Sequence, residues 1–310
     1  SGLWRLCCLW LGNDDDGGWL PNPMGPGKIT LRSYLALPNF KANHRKTLVV
    51  DEGNDWTAMV TSANPHDGSS AHSNIALRFS GSSVGAVAHS EWKIAELAGI
   101  TLPPRPAIQP TPAIDHNTTL EVLTEAAIRD ALLDTIARSK DGDALEVSVF
   151  YLSHRPLIEA LKDAHQRGVQ VRVLLDPNKD AFGREKNGIP NRPVGAELHE
   201  AGIPLRWCNT QGEQCHTKML MWRNAEHAEL ILGSANFTRH NLDNLNLETS
   251  VRLTAPVTHP VMVKAADTFA RRWENRRAEK HSTDYATYAD ERLWAYGLYR
   301  VMEFTGISSF

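Results

Sequence analysis

The chain has 310 residues, 42% hydrophobic and 22% charged, with a net charge of −3. That is the balance of an ordinary globular protein, long enough for one large core or two medium ones; with no general pull toward nucleic acid, any phosphate site must be local. Four cysteines (Cys7, Cys8, Cys208, Cys215) are too few for a disulfide scaffold at this length, and no apolar run reaches the roughly 18 residues of a membrane-crossing helix. Residues 3–11 are apolar but short and lack a signal-peptide cleavage pattern, and the absence of an initiator Met leads us to expect a start inside a longer protein. Residues 13–28, rich in Asn, Asp, Gly and Pro, read as a loop. A strand-like stretch over 29–40 leads to His44, and the β-prone runs 47–50 and 56–60 flank a polar turn, which predicts a hairpin. A polar loop over 64–73, a strand over 74–79 and a helix over 86–97 follow. Five prolines between Pro103 and Pro112 predict a stiff linker.

Beyond the linker, Thr118-x-x-Glu121 has the form of a capping box, predicting a helix over 120–137. A strand over 144–151, a helix over 155–166 closed by Gly168 and a strand over 169–176 form a strand–helix–strand unit, the mark of a parallel sheet covered by helices. The polar loop 177–193 is long enough to suggest a function, and Arg184, Lys186 and Arg192 on it could meet a phosphate backbone. Helix and strand over 194–201 and 203–207, strands over 218–222, 229–232 and 245–253, and a helix over 259–277 complete this half. The aromatic tail 282–310 reads either as a helix packed on the domain or as a surface for lipid or a partner. Domains are therefore expected at 1–102 and 118–280, with a linker at 103–117 and a tail at 281–310. About 97 residues separate Thr119 from His216 but only 43 precede His44, so the first domain is expected to lack its opening elements.

His44-Arg45-Lys46 followed by Ser62-Ala63-Asn64 returns as His216-Thr217-Lys218 followed by Ser234-Ala235-Asn236, 172 residues later and without a gap. One imidazole can attack phosphorus while the other protonates the departing oxygen. Lys46, Lys218, Asn64 and Asn236, with Ser62 and Ser234 as hydroxyl donors, can bind the phosphate oxygens and the charge of the transition state. Cationic side chains would replace a metal, and no cofactor is expected. Cys208 and Cys215 could pair, or join His216 on zinc.

The two H-x-K segments with their S-x-N tails resemble the HKD motifs of the phospholipase D superfamily, as in phospholipase D-like proteins akin to bacterial cardiolipin synthases. The resemblance runs from Ile29 to about Arg277. It implies an α/β fold of two phospholipase D-like domains, each a mixed, mainly parallel sheet flanked by helices, with one active site at their interface and a phosphohistidine intermediate. His44 and His216 become nucleophile and general acid/base. Asp51 matches the family's structural acidic residue, which is Arg223 in the second copy. At the same offset Glu248, the carboxylate expected to orient His216, faces Ala76, so His44 would need another partner, such as Asn74, Asp67 or a backbone carbonyl; this asymmetry favours His216 as nucleophile. The expected activity is that of a phospholipid phosphodiesterase or phosphatidyltransferase, bacterial and cytoplasmic or membrane-associated. A nuclease of the same superfamily and a non-catalytic phosphate binder are the alternatives.

Overall fold

The computed structural model describes residues 20–21, 27–31, 42–53, 55–102, 108, 117–181, 184–276 and 279–305. The apolar start, nearly all of the predicted strand over 29–40, the proline linker and the last five residues lie outside them. The predicted hairpin is present: β1 (Thr47–Glu52) and β2 (Asp55–Thr61) pair antiparallel, with Asp51 opposite Trp56. β3 (Ala76–Ser80) extends this small sheet beside β2, and α1 (Ser83–Leu97) follows.

The second half forms an eight-stranded sheet. In chain order its elements are β4 (Thr119–Thr124), α2 (Ala126–Arg138), β5 (Ala144–Val149), α3 (Arg155–Gln166), β6 (Gln170–Leu175), α4 (Asn191–Glu200), β7 (Leu205–Cys208), β8 (Lys218–Arg223), β9 (His227–Gly233), β10 (Thr249–Pro256), α5 (Pro260–Glu274), β11 (Ser282–Asp284) and α6 (Leu293–Thr305). Spatially the strands run β11-β7-β6-β5-β8-β9-β10-β4. The expectation of a mixed sheet flanked by helices holds, but its balance differs from a mainly parallel one. Only β5, β6 and β7 are mutually parallel; every other neighbour is antiparallel, as is the whole first-half sheet. The reason is connection length. Helices α3 and α4 carry the chain back for parallel pairing, whereas three residues join β8 to β9 and leave only an antiparallel return.

The helix expected over 120–137 is a strand followed by a helix. Leu120 and Val122 pack on one core and Leu123 on the other, the alternation of a strand. Glu121 pairs across the ladder with Arg252, so it cannot serve a capping box. The helix starts at Ala126, whose N–H is capped by Asn244 Oδ1 at 2.8 Å, after Glu125 turns the chain at φ 50°. Within the long loop, Asp180–Ala181 and Arg184–Glu185 form a small hairpin, and α4 opens at Asn191 rather than 194.

The large sheet buries both faces. Leu145, Val147, Leu220 and Ile231 meet α2 and α3 on one side. On the other, Met219, Met221, Leu230, Leu232 and Val251 share a core with Ala58, Val60 and Leu77 of the small sheet, Val84 and Val87 of α1, and Phe269 of α5. Buried side chains of this size contribute on the order of 1.5–3 kcal/mol each, so the first-half sheet is bound to the second half by a continuous apolar core. That packing brings the two motifs together.

Candidate functional site

Each motif is pinned to the other half of the chain. Beside the first, His44 N–H donates to the Leu247 carbonyl and Leu247 N–H to the Ala42 carbonyl, both at 2.9 Å. Beside the second, Ser73 N–H donates to the Gln214 carbonyl at 2.9 Å, Gln214 N–H to His72 Nδ1 at 3.0 Å, and Thr217 Oγ1 to the Ser73 carbonyl at 3.1 Å. The histidines are therefore placed by reciprocal strand-like contacts between the halves.

Their orienting partners cross over in the same way, and this corrects the sequence reading. Glu248 does not hold His216; its Oε1 lies 2.8 Å from His44 Nδ1. His216 Nδ1 instead meets Asn74 Oδ1 at 3.2 Å. The equivalence of Glu248 with Ala76 also fails. Ser62 Oγ donates to Asn74 and accepts from Ile75 N–H, while Ser234 Oγ donates to Glu248 and accepts from Thr249 N–H. Asn74 and Glu248 thus occupy the same place in the two copies, 174 residues apart, so the second copy carries two extra residues after its S-x-N. Asn246, which lies 172 residues after Asn74, is therefore not its structural counterpart and instead accepts the Ala42 N–H at 3.0 Å. Between the second S-x-N and Glu248 lies the helical turn Arg239–Leu242, from which Asn241 also donates to Glu248.

The serines need a second correction. Ser62 and Ser234 are wholly buried, and their hydroxyls are committed to Asn74, Glu248 and neighbouring backbone, so they position the orienting groups rather than meet a phosphate. Asp51 is exposed at the end of β1. Its counterpart Arg223 turns to the buried Glu146 at 2.8 Å, beside Arg172, so the position serves opposite charges in the two copies. Gly233, where the first copy has Thr61, is required by close approach: a Cβ there would lie 2.4 Å from the Thr249 carbonyl oxygen.

The two lysines give the site its charge. Lys46 Nζ donates to the His44 carbonyl at 2.8 Å and Lys218 Nζ to the His216 carbonyl at 3.1 Å. Burial pushes the Lys46 ammonium down to about 8, against the pull of Glu248. Lys218, fully buried, is likewise held well below its usual value, first by desolvation and then by Lys46. Burial, then Lys218, Lys46, His44 and His72, hold the His216 imidazole well below its usual range, so it is neutral in the free protein. Phe150 roofs this side, 5.1 Å from the His216 ring and 5.3 Å from Lys218 Nζ. Asn236 is 6% exposed and its Oδ1 has no partner among the described residues, leaving the amide open to a ligand. Asn64 is anchored through its backbone to Ser69 Oγ at 2.9 Å.

A pH test follows from Lys46. It is charged below about 8 and loses its proton above, so binding of a non-titrating oxyanion such as tungstate should weaken about tenfold per pH unit beyond that point. Lys46→Arg should flatten the dependence; an unchanged profile in that variant would remove Lys46 from the anion site.

Several residues of the site carried no recognisable signal in sequence. Asp176 is buried, with its carboxyl pushed up to about 7 by desolvation; it accepts Cys215 N–H at 2.8 Å and so fixes the approach to His216. Arg272 donates to Thr217 Oγ1 at 2.8 Å. Arg45 binds Glu125 at 2.7 Å, and Glu125 in turn accepts Glu248 N–H. Cys208 and Cys215 form a disulfide, which settles the choice between pairing and zinc. Among the described residues no group of three or more His, Cys, Asp or Glu could hold a metal ion. Lys186 is turned inward to Tyr151, and Arg192 binds the Pro177 carbonyl at 3.0 Å, so the long loop offers no stripe of free cations from these two.

Two halves bringing paired H-x-K segments to one interface, with buried lysines between them, define a class of protein built to handle phosphodiesters. Residues 132–273 match the family described as cardiolipin synthase, PLD-like domain. The crystal structure of phosphatidylserine synthase from Haemophilus influenzae Rd KW20 aligns over 86% of this chain and 69% of its own, at 11% identity and a TM-score of 0.59. Nuc from Salmonella typhimurium, a phospholipase D family member, is 23% identical over 54% of this chain and 98% of its own, with a TM-score of 0.42. A comparison with curated proteins gave no match. The family match thus places a phospholipase D-like domain in the second half of the chain, and the likeness to phosphatidylserine synthase extends the shared fold over most of its length.

Proposed function

We propose that the protein is a metal-independent phosphodiesterase or phosphatidyltransferase acting on phospholipids through a phosphohistidine. The observation that carries this is the crossed pairing of His44 with Glu248 and His216 with Asn74, which sets two imidazoles in different electrostatic surroundings beside Lys46 and Lys218. With Glu248 on His44, the reasoning that favoured His216 as nucleophile now favours His44. Forming a P–N bond places positive charge on the attacking ring, and a carboxylate on Nδ1–H offsets that charge where an amide oxygen cannot.

In this scheme the phosphodiester lies between Lys46 and Lys218, with Asn64 and Asn236 at its nonbridging oxygens. Its negative charge offsets the neighbouring positive charges that, after burial, keep His216 neutral, so that ring takes up a proton as substrate binds. His44 Nε2 attacks phosphorus, the P–O bond to the departing alcohol breaks, and His216 protonates that oxygen. His216, neutral again, then removes a proton from water or an acceptor alcohol as it attacks phosphorus and releases His44. Water yields phosphatidic acid; an alcohol yields a new phosphodiester. The family description and the phosphatidylserine synthase fold support a lipid substrate, the net charge of −3 disfavours nucleic acid, and a cytoplasmic or membrane-associated site of action is proposed with this reading.

The test sets head-group release from liposomes beside cleavage of single-stranded DNA. Release without DNA cleavage is expected, and the converse would replace this reading with the nuclease one. Because lysines supply the charge a metal would otherwise bring, either activity should survive EDTA; a strict divalent requirement would exclude the proposed chemistry.

A further inference from the structure

Helix α6 has two faces with different fates. Ala295, Tyr299 and Glu303, four residues apart, are buried against the domain. The opposite face leaves Leu293 (87%), Trp294, Leu298, Val301 and Phe304 (85%) exposed, an apolar stripe along the helix. The expected packing of the tail helix on the domain is present through the first face, and the second face is left exposed.

The stripe ends at a cavity of about 190 Å³ lined by His154, Arg155, Arg239, Arg300, Asp243, Glu303 and Phe304. At about 30 Å³ per water, it has room for a phosphate-sized group. Its charges are unevenly satisfied. Asp243 is taken by Arg129 and His154, Glu303 by Ser153, and Arg155 by Glu197. Arg239 donates only to the Glu303 and Phe304 carbonyls and Arg300 only to Tyr296 Oη, so neither forms an ion pair among the described residues. Burial raises the Glu303 carboxyl above its usual range, against the pull of Ser153, His154 and Arg239. His154, 2% exposed, leaves its Nδ1 without a hydrogen-bond partner. Guanidinium groups and an adjoining apolar stripe complement an anionic amphiphile: phosphate in the cavity, hydrocarbon along the helix.

This surface is tied to the motif end of the sheet. Ser153 Oγ donates to Glu303, and the Ser153 and His154 N–H groups both donate to the carbonyl of Phe237, the residue after Asn236. Three residues earlier, Phe150 covers His216. A bilayer resting on α6 would lie beside the segments that carry the site.

We propose that α6 and its arginine-lined cavity form a docking surface for an anionic phospholipid bilayer, distinct from the H-x-K site. The inference deepens the phospholipid reading, but it can fail separately. Flotation with vesicles of equimolar phosphatidylglycerol and phosphatidylcholine measures binding, and hydrolysis of a soluble short-chain phosphodiester measures the site. The wild-type protein should bind these vesicles at least tenfold better than pure phosphatidylcholine. Arg300→Gln and the double variant Trp294→Ser/Phe304→Ser should each lose about tenfold in vesicle binding with soluble turnover unchanged. Equal binding to neutral vesicles, or undiminished binding by both variants, would overturn the proposal. So would a concentration-dependent dimer of the wild type that the double variant abolishes, since the stripe would then be covered by a second copy. Vesicle binding without any phosphodiester turnover would instead sink the catalytic reading and leave the docking surface standing.

Discussion

His44→Ala and His216→Ala should each lower turnover about 10⁴- to 10⁶-fold, the range seen when one member of a concerted catalytic set is removed. The double variant should be little worse than either single one, because each histidine works only through the other. The roles separate with the leaving group. A p-nitrophenyl ester needs little protonation on departure, so His216→Ala should still form a trappable phosphohistidine from it, whereas His44→Ala should form none. The reverse pattern would make His216 the nucleophile. His216 is almost fully buried among Phe150, Lys218 and Asn74, so its variant should be checked by thermal unfolding before a kinetic loss is ascribed to chemistry.

Glu248→Gln should cost about 10²- to 10⁴-fold in turnover with the fold retained. The Glu248 carboxylate accepts from three donors, His44 Nδ1, Ser234 Oγ and Asn241 Nδ2. A glutamine replaces one acceptor with an NH₂ that meets a donor. Turned toward His44, that NH₂ would make Nδ1 an acceptor and drive the ring proton to Nε2, the atom that must attack. Asn74→Ala should cost less, about 10- to 100-fold, since it removes a neutral acceptor from a ring held neutral by its surroundings. Phosphohistidine accumulation separates the two effects: Glu248→Gln should slow its formation, and Asn74→Ala should leave formation from an activated ester nearly intact. If Asn74→Ala proved the more damaging for that step, the assignment of His44 as nucleophile would fall.

Much of this was legible in the chain. The duplicated H-x-K and S-x-N segments named both imidazoles, both lysines and both amides, because these side chains must recur wherever a phosphate is held from two sides. The strand–helix–strand run 144–176 announced its parallel unit through hydrophobic strands around an amphipathic helix ended by Gly168. Strand β4 was missed because Thr118-x-x-Glu121 overlaps its start with a capping-box pattern, and only its ladder with β10 shows that Glu121 answers Arg252 instead of a helix N-terminus.

What the sequence could not decide was which orienting group serves which histidine. Constant spacing suggested that Glu248 served the nearer histidine in its own copy, His216; the shared core carries it to His44, 204 residues away in the chain. The two-residue shift between the copies is invisible while every aligned letter still looks acceptable, and it emerges only when Ser62 with Asn74 and Ser234 with Glu248 are found making the same hydrogen bonds. The chain by itself determined the chemical inventory, since that depends on residue types and their repetition. The tertiary structure decided the pairing, since a hydrogen bond depends on distances of about 3 Å that are set by how two sheets pack.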